Sequence, residues 1–293
     1  MSGKCMAAVD IGTNSCRLLV ADQKGDFISP VLKKLRTTRI GEGVARQGLL
    51  GERPMERTIT ALREYSGLIK EFQVAQLRVV ATDAVRQAAN AAFFLEQVRE
   101  ETGFAVDVIS GGEEARLNYI GACQMVVAEG TGVVVDIGGG STEFTYYIRD
   151  EGLNCRSIPL GAVRLTEEPR LLSAILGTAK EILDQLKELS CPALIGVGGT
   201  ITSLAAVDQA LEVYEVKRVQ GYFLTKRAVE RIMFSLAAKN NEERKSVPGL
   251  QPGRADIIIA GITILWSILT YLGVSGITVS DADLLHGIIM EMV

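Results

Sequence analysis

The chain has 293 residues, 47% hydrophobic and 23% charged, with a formal net charge of −4. That length exceeds the usual single core and predicts two domains. The acidic balance excludes a generalised basic surface for nucleic acid, so an anionic ligand must be met by local cations.

Five dispersed cysteines, Cys5, Cys16, Cys123, Cys155 and Cys191, include no Cys-x-x-Cys pair. They argue for reduced thiols in a cytoplasmic protein and against a zinc site. The single histidine, His286, excludes multi-histidine metal centres and leaves little room for a Ser-His-Asp triad. Any metal is then held by carboxylates and water, which favours magnesium or manganese. The N-terminus carries no signal-peptide pattern.

In chain order, residues 5–11 and 16–21 read as two strands joined by the turn Gly12, Thr13, Asn14, Ser15. A third strand over 31–40 carries Lys33, Lys34, Arg36 and Arg39, and a loop follows to about residue 49. Pro54 opens a helix as its N1 residue, with Ile59, Leu62, Leu68, Ile69 and Phe72 on its apolar face. A strand over 77–81 leads into Thr82, Asp83 and Arg86, where Arg86 either pairs with Asp83 or meets a phosphate. A helix over 91–102 and a strand over 105–109 come next. Gly111 and Gly112 then turn the chain, and Glu113 and Glu114 complement the positive end of a helix running to about 128.

Val133, Val134 and Val135 suit a strand buried on both faces. Asp136 ends the apolar run, and Gly138, Gly139 and Gly140 precede Ser141, Thr142 and Glu143. Such a turn can bring backbone N–H groups to a phosphate while its acids hold a divalent cation. It can equally be a glycine-rich hairpin with an acid at its corner. The same Asp-Ile-Gly stands at Asp10, Ile11 and Gly12, 126 positions earlier (136 − 10). A third glycine turn, Gly198, Gly199 and Thr200, leaves an apolar strand over 193–197. Two halves with one phosphate turn each imply a ligand held in a cleft between two domains.

Beyond the turn, strands read over 143–148 and 153–160, a helical connection starts at Gly161, and 172–189 is amphipathic. Residues 208–221 lack pattern, helices span 225–239 and 241–244, and a turn-rich loop runs over 246–256. Residues 257–274 carry no charge, but Gly261, Thr263, Ser267, Thr270 and Gly273 interrupt them, which reads as a buried core helix rather than a membrane span. A strand over 276–280 precedes a last helix capped by Ser280 or Asp281, on which His286 reads as a packed or surface residue.

Together, the Asp10–Ser15 turn, Ser110 to Ala115 and the Asp136–Glu143 turn resemble the exopolyphosphatase and guanosine pentaphosphate phosphatase (Ppx/GppA) family. That family sits within the actin-like ATPase and sugar-kinase superfamily. The resemblance runs from about residue 7 to the last helix. It implies an α/β fold of two ribonuclease H-like (actin-like ATPase) domains, residues 1–125 and 126–293, with 282–293 able to pack on the first.

The implied activity is magnesium-dependent hydrolysis of the terminal phosphoanhydride of inorganic polyphosphate, manganese being an alternative ion. Glu114 would be the catalytic base and Arg86 its cationic partner at the terminal phosphate. Gly12, Thr13, Asn14, Ser15, Arg17, Gly138, Gly139, Gly140, Ser141, Gly199 and Thr200 would bind phosphate, and Asp136, Glu143 and Asp10 the metal. Guanosine pentaphosphate, a signal of the stringent response, offers the same terminal anhydride, and a non-catalytic regulator binding guanosine tetra- or pentaphosphate is the non-enzyme rival. A kinase of the superfamily would need nucleoside and acceptor features that are not evident, and no Walker sequence occurs. Neither nucleic acid nor membrane is an expected partner, and a homodimer is left open. Two departures bear on substrate preference: Asp83 replaces the family's Ser, and Leu285 and His286 stand where many relatives carry Arg and Glu. No chain is left for the additional helical domain of longer relatives.

Overall fold

The computed structural model describes residues 4–24, 27–125, 132–148, 152–189 and 193–293. Cys191 and the expected helix tail over 126–128 lie outside them. The chain divides into two compact units, Met1–Gly121 with Leu284–Val293, and Ala122–Asp283.

Unit 1 is built on β1 (Lys4–Ile11), which pairs antiparallel with β2 (Cys16–Lys24); β2 in turn pairs with β3 (Phe27–Arg36). β3 ends earlier than expected because the chain turns at Arg39, whose φ of 54° leaves the extended region. The stretch read as loop contains a short helix, α1 (Val44–Gln47), between two left-handed glycines, Gly43 and Gly48. α2 (Glu52–Glu71) starts two residues before Pro54, so the proline is its third residue rather than its first. Proline is harmless there, because the N–H groups of a first helical turn have no partner within the helix.

β4 (Gln76–Ala81) runs parallel to β1, α3 (Asp83–Gln87) and α4 (Ala91–Thr102) follow, and β5 (Val106–Val108) closes the sheet beside β4. The order is β3-β2-β1-β4-β5. α5 (Gly111–Met125) then leaves the sheet.

Alternation along β1 sorts the core onto two faces. Ala7, Val9 and Ile11 pack with Leu62 and Tyr65 of α2 and Phe94 and Val98 of α4. Met6 and Ala8 face the other way, toward Leu117 of α5.

Unit 2 repeats the plan. β6 (Val133–Ile137) pairs antiparallel with β7 (Thr142–Ile148), and β7 with β8 (Gly152–Ile158). α6 (Ala162–Glu167) and α7 (Leu172–Glu188) lead to β9 (Leu194–Val197), parallel to β6. β9 passes directly into α8 (Gly198–Asp208), so the expected Gly198–Thr200 turn is the first turn of a helix. The unpatterned stretch holds α9 (Val216–Val219), and β10 (Phe223–Thr225) was not expected at all; three residues are too few to show a period.

α10 (Lys226–Ala237), α11 (Asn241–Lys245), α12 (Ile258–Leu272) and β11 (Gly276–Val279) complete the unit, with sheet order β10-β11-β9-β6-β7-β8. Asn240 and Glu243 form a capping box that starts α11. α12 buries Ile258, Ile262, Leu265, Ile268 and Leu269 in the core shared with α7, α8 and α10. Among the described residues no helix is long and apolar enough to cross a membrane.

The last helix, α13 (Leu284–Glu291), belongs to unit 1, where Leu284, Leu285, Ile288 and Ile289 pack on Met6, Ala8 and Leu19. It starts two residues later than the expected 282. Ser280 Oγ donates to Ala282 O at 2.9 Å, and Asp281 accepts from the Tyr214 hydroxyl at 2.5 Å. His286 lies half-buried on α13.

Tyr65 donates its hydroxyl to Cys16 O at 2.9 Å inside unit 1. Burial, reinforced by nearby Asp10, pushes the Cys16 thiol above its ordinary 9.0, and burial does the same to the Tyr65 phenol, ordinarily at 10.0. Folding therefore holds both groups protonated. Their contribution is whole below pH 9.0 and is lost as pH rises, because the unfolded chain ionises first. The guanidinium midpoint is expected to fall from about pH 9 upward, with a shallower fall in Cys16→Ala; a level midpoint into strongly alkaline solution would contradict this.

Candidate functional site

Each unit places one glycine turn between its first two strands, and both turns close the same way. Gly12 N donates to Ser15 O at 3.1 Å, and Gly138 N donates to Ser141 O at 3.0 Å. The two Asp-Ile-Gly motifs are thus one local structure used twice.

In unit 1 the turn is pinned from outside: Arg39 N donates to Asn14 O at 3.0 Å and Gly41 N to Thr13 O at 2.9 Å. A side chain at Gly41 would overlap the Thr13 methyl, so glycine is needed for this approach. Thr13, Asn14 and Ser15 are buried. Asn14 Nδ2 donates to Ser15 Oγ at 3.1 Å, and its Oδ1 has no protein partner among the described residues. Rotating that amide by half a turn keeps the bond, with Ser15 Oγ now donating, and presents Nδ2 as a donor instead.

β1–β2 register sets Asp10 opposite Arg17. The guanidinium holds one carboxylate oxygen twice, Nε at 2.9 Å and Nη2 at 2.6 Å from Oδ2.

The two glutamates that open α5 part company. Ser110 Oγ accepts from Glu113 N at 3.1 Å, and the Glu113 carboxylate goes to Arg78 at 2.7 Å. Glu114 is buried, with Oε2 3.3 Å from Arg86 Nη1. Arg86 also donates to Ile109 O at 2.7 Å and lies 3.3 Å from Asp83 Oδ1, so the pairing with Asp83 and the contact with Glu114 coexist. Gln87 Nε2 shares that Asp83 oxygen at 2.5 Å.

In unit 2, Asp136 opposes Glu143 across β6–β7, the register position that Arg17 fills in unit 1. Glu143 is 1% exposed and accepts from Ser157 Oγ at 2.7 Å. Asp136 presses on Gly198, whose φ of 83° and missing side chain make room for Oδ1 at the start of α8. Arg254 lies over Gly199 so closely that any side chain there would overlap its guanidinium. Thr200 is buried in the same helical turn.

Residues 19–293 match the model of the Ppx/GppA phosphatase family. The chain belongs to that family. It is 34% identical to the bifunctional 3-dehydroquinate synthase/phosphatase of Fusobacterium nucleatum over 97% of this chain, and spans only 46% of that relative's length. Similarity to Exopolyphosphatase 2 of Mycobacterium tuberculosis covers 98% of each chain at 31% identity. The crystal structure of the Aquifex aeolicus Ppx/GppA member matches with a TM-score of 0.79 and 34% identity, over 99% of this chain and 97% of that one. The two mixed sheets are accordingly the actin-like ATPase architecture of Ppx/GppA structures.

Within this Ppx/GppA chain, unit 1 brings Gly12, Thr13, Asn14, Ser15, Asp10 and Arg17 together at one turn, and Arg86 and Glu114 at another point of the same unit. Unit 2 gathers Asp136, Glu143, Gly198, Gly199, Thr200 and Arg254, with Gly138, Gly139, Gly140 and Ser141 in the adjoining turn. Sequence reasoning missed Ser157 as the partner of Glu143. Only strand register identifies it, since β8 places Ser157 opposite Glu143.

Among the described residues no three of His, Cys, Asp and Glu form a ready-made metal cluster. The donors nevertheless suit a hard cation. Two carboxylates directly opposite on one sheet face repel, and Asp136 and Glu143 are the residues that would hold a magnesium ion, which commonly keeps water and phosphate oxygens in its shell.

Replacing Arg17 by Met leaves Asp10, 3% exposed, facing an apolar chain. The cost is expected at roughly 1–3 kcal/mol, below that of a fully buried pair because Arg17 keeps some solvent contact. Urea unfolding checks it, and adding Asp10→Asn should recover part of the loss.

Proposed function

We propose that this protein is an exopolyphosphatase, which hydrolyses the terminal phosphoanhydride of linear inorganic polyphosphate and releases orthophosphate. The observation that carries the reading is the duplicated turn with its identical closing bond, accompanied in unit 1 by a buried glutamate beside an arginine. The similarity to Exopolyphosphatase 2 along nearly all of both chains supports the same substrate class. Its reduced-thiol composition suits the cytoplasm.

Phosphoryl transfer demands positioning and charge neutralisation more than covalent help from the protein. Backbone N–H groups and hydroxyls of Thr13, Asn14, Ser15, Gly139 to Ser141, and Gly199 with Thr200, bind phosphate oxygens. Arg17, oriented by Asp10, and Arg86 offset the charge of the terminal phosphate. Glu114 accepts a proton from water as its oxygen bonds to the terminal phosphorus and the bridging P–O bond breaks toward the remaining chain. Arg86 lies 3.3 Å from the Glu114 carboxylate and holds it in place. Magnesium held by Asp136 and Glu143 would supply Lewis-acid stabilisation of phosphate charge.

Orthophosphate release is measured from tripolyphosphate, long-chain polyphosphate and guanosine pentaphosphate, with magnesium or with a chelator. The expected result is magnesium-dependent release from both polyphosphates, faster than from the nucleotide. No release, or release indifferent to chelation, would refute the reading.

Glu114→Gln is expected to lower kcat by about 10²–10⁴ with binding retained. A variant that instead loses stability while keeping its turnover number would show Glu114 to be a helix-starting residue only. Glu143→Gln keeps size but removes charge, so half-maximal activity should need far more magnesium while the thermal midpoint holds; unchanged magnesium dependence would remove Glu143 from the site.

A further inference from the structure

A single short segment grips the unit 2 turn from one side. Ala162 N donates to Gly138 O at 2.9 Å, while Val163 N and Arg164 N donate to Gly139 O at 2.8 and 3.1 Å. Arg164 Nε donates to Gly140 O at 2.9 Å. Four bonds therefore occupy three consecutive carbonyls. The approach depends on Gly161, where any side chain would overlap the Gly139 carbonyl.

Three glycines in a row place almost no restriction on φ and ψ, so each peptide plane is free to turn unless something holds it. In a trans peptide the C=O and the N–H of the next residue point in opposite directions. Fixing the carbonyls of Gly138, Gly139 and Gly140 consequently aims the N–H groups of Gly139, Gly140 and Ser141 to the other side. The unit 1 turn is held differently, by backbone donors from Arg39 and Gly41 onto Thr13 and Asn14. Those residues carry side chains that narrow their own dihedrals. The all-glycine turn is gripped at its last carbonyl by a side chain, Arg164.

We propose that Arg164 is a positioning residue: by fixing the Gly140 carbonyl, it presets the turn's N–H groups to receive phosphate oxygens. It acts through the turn and does not touch substrate. The proposal rests on the phosphate-binding role of this turn in the reading above.

Arg164→Gln, Arg164→Lys and Gly161→Ala are compared with the unaltered chain in three measurements: the amide resonances of Gly139 and Gly140, their response to pyrophosphate, and KM and kcat for tripolyphosphate. All three variants are expected to move those resonances and to leave the Gly12 amide in place. KM should rise about tenfold, the scale of losing one charge-assisted hydrogen bond. kcat should change far less, because the turn binds phosphate equally before and during reaction.

Lysine is the discriminating substitution, since it keeps the charge but not the planar fork that reaches a carbonyl. Full rescue by lysine would make Arg164 a simple attractor of anions and overturn the proposal. So would unshifted Gly139 and Gly140 resonances in the variants, or wild-type amides that ignore pyrophosphate. If the unaltered protein releases no phosphate from tripolyphosphate, the exopolyphosphatase reading fails, while the resonances and the pyrophosphate titration still decide the role of Arg164. Should the glutamine variant not fold, the lysine and Gly161→Ala chains carry the comparison.

Discussion

Strand register is the constraint on which the candidate residues of each unit depend. β1 and β2 set Asp10 against Arg17, and β6 and β7 set Asp136 against Glu143. Side chains directly opposite in an antiparallel pair share a sheet face and lie within reach of each other. A slip of one residue in either hairpin would send its partner to the opposite face. The closing bonds of the two turns, Gly12 to Ser15 and Gly138 to Ser141, set the loop length that permits this register.

The same backbone therefore carries two electrostatic designs. In unit 1 the first-strand aspartate is neutralised by a guanidinium of the protein itself, held twice through one oxygen. In unit 2 the equivalent position carries a second acid, buried and hydrogen-bonded to Ser157. The single change of residue type between position 17 and position 143 divides a turn whose aspartate faces a guanidinium from one whose aspartate faces a second carboxylate.

Close backbone approach is the second theme, and glycine makes each instance possible. Gly41 admits the outer loop to Thr13, Gly161 admits α6 to the 138–140 turn, and Gly198 admits Asp136 to the start of α8. Gly199 does the same for Arg254. On α13, Gly287 lies against the backbone of Leu117 and draws the last helix onto α5. These contacts are steric, so they fix position in a way that hydrogen bonds alone do not.

Local chemistry was legible in the sequence. The Val133–Val135 run, the two Asp-Ile-Gly turns, the amphipathic α2 and α7 and the uncharged α12 follow from residue type and period, while the α/β class came with the family resemblance. The choice between Glu113 and Glu114 was not readable from composition, since both suit a helix start; only burial beside Arg86 and the pull of Arg78 separate them. Arg86 likewise had two readings, a pair with Asp83 or a phosphate contact; tertiary structure shows the pair with Asp83 and adds Glu114 beside it.

The partner of Glu143, the grip of Arg164 on Gly140, the direct entry of β9 into α8 and the late start of α13 depend on residues brought together from distant parts of the chain. Periodicity reports which face of an element is apolar, but not what meets that face. Pairing across strands and the close contacts of glycine backbones belong to the folded chain alone.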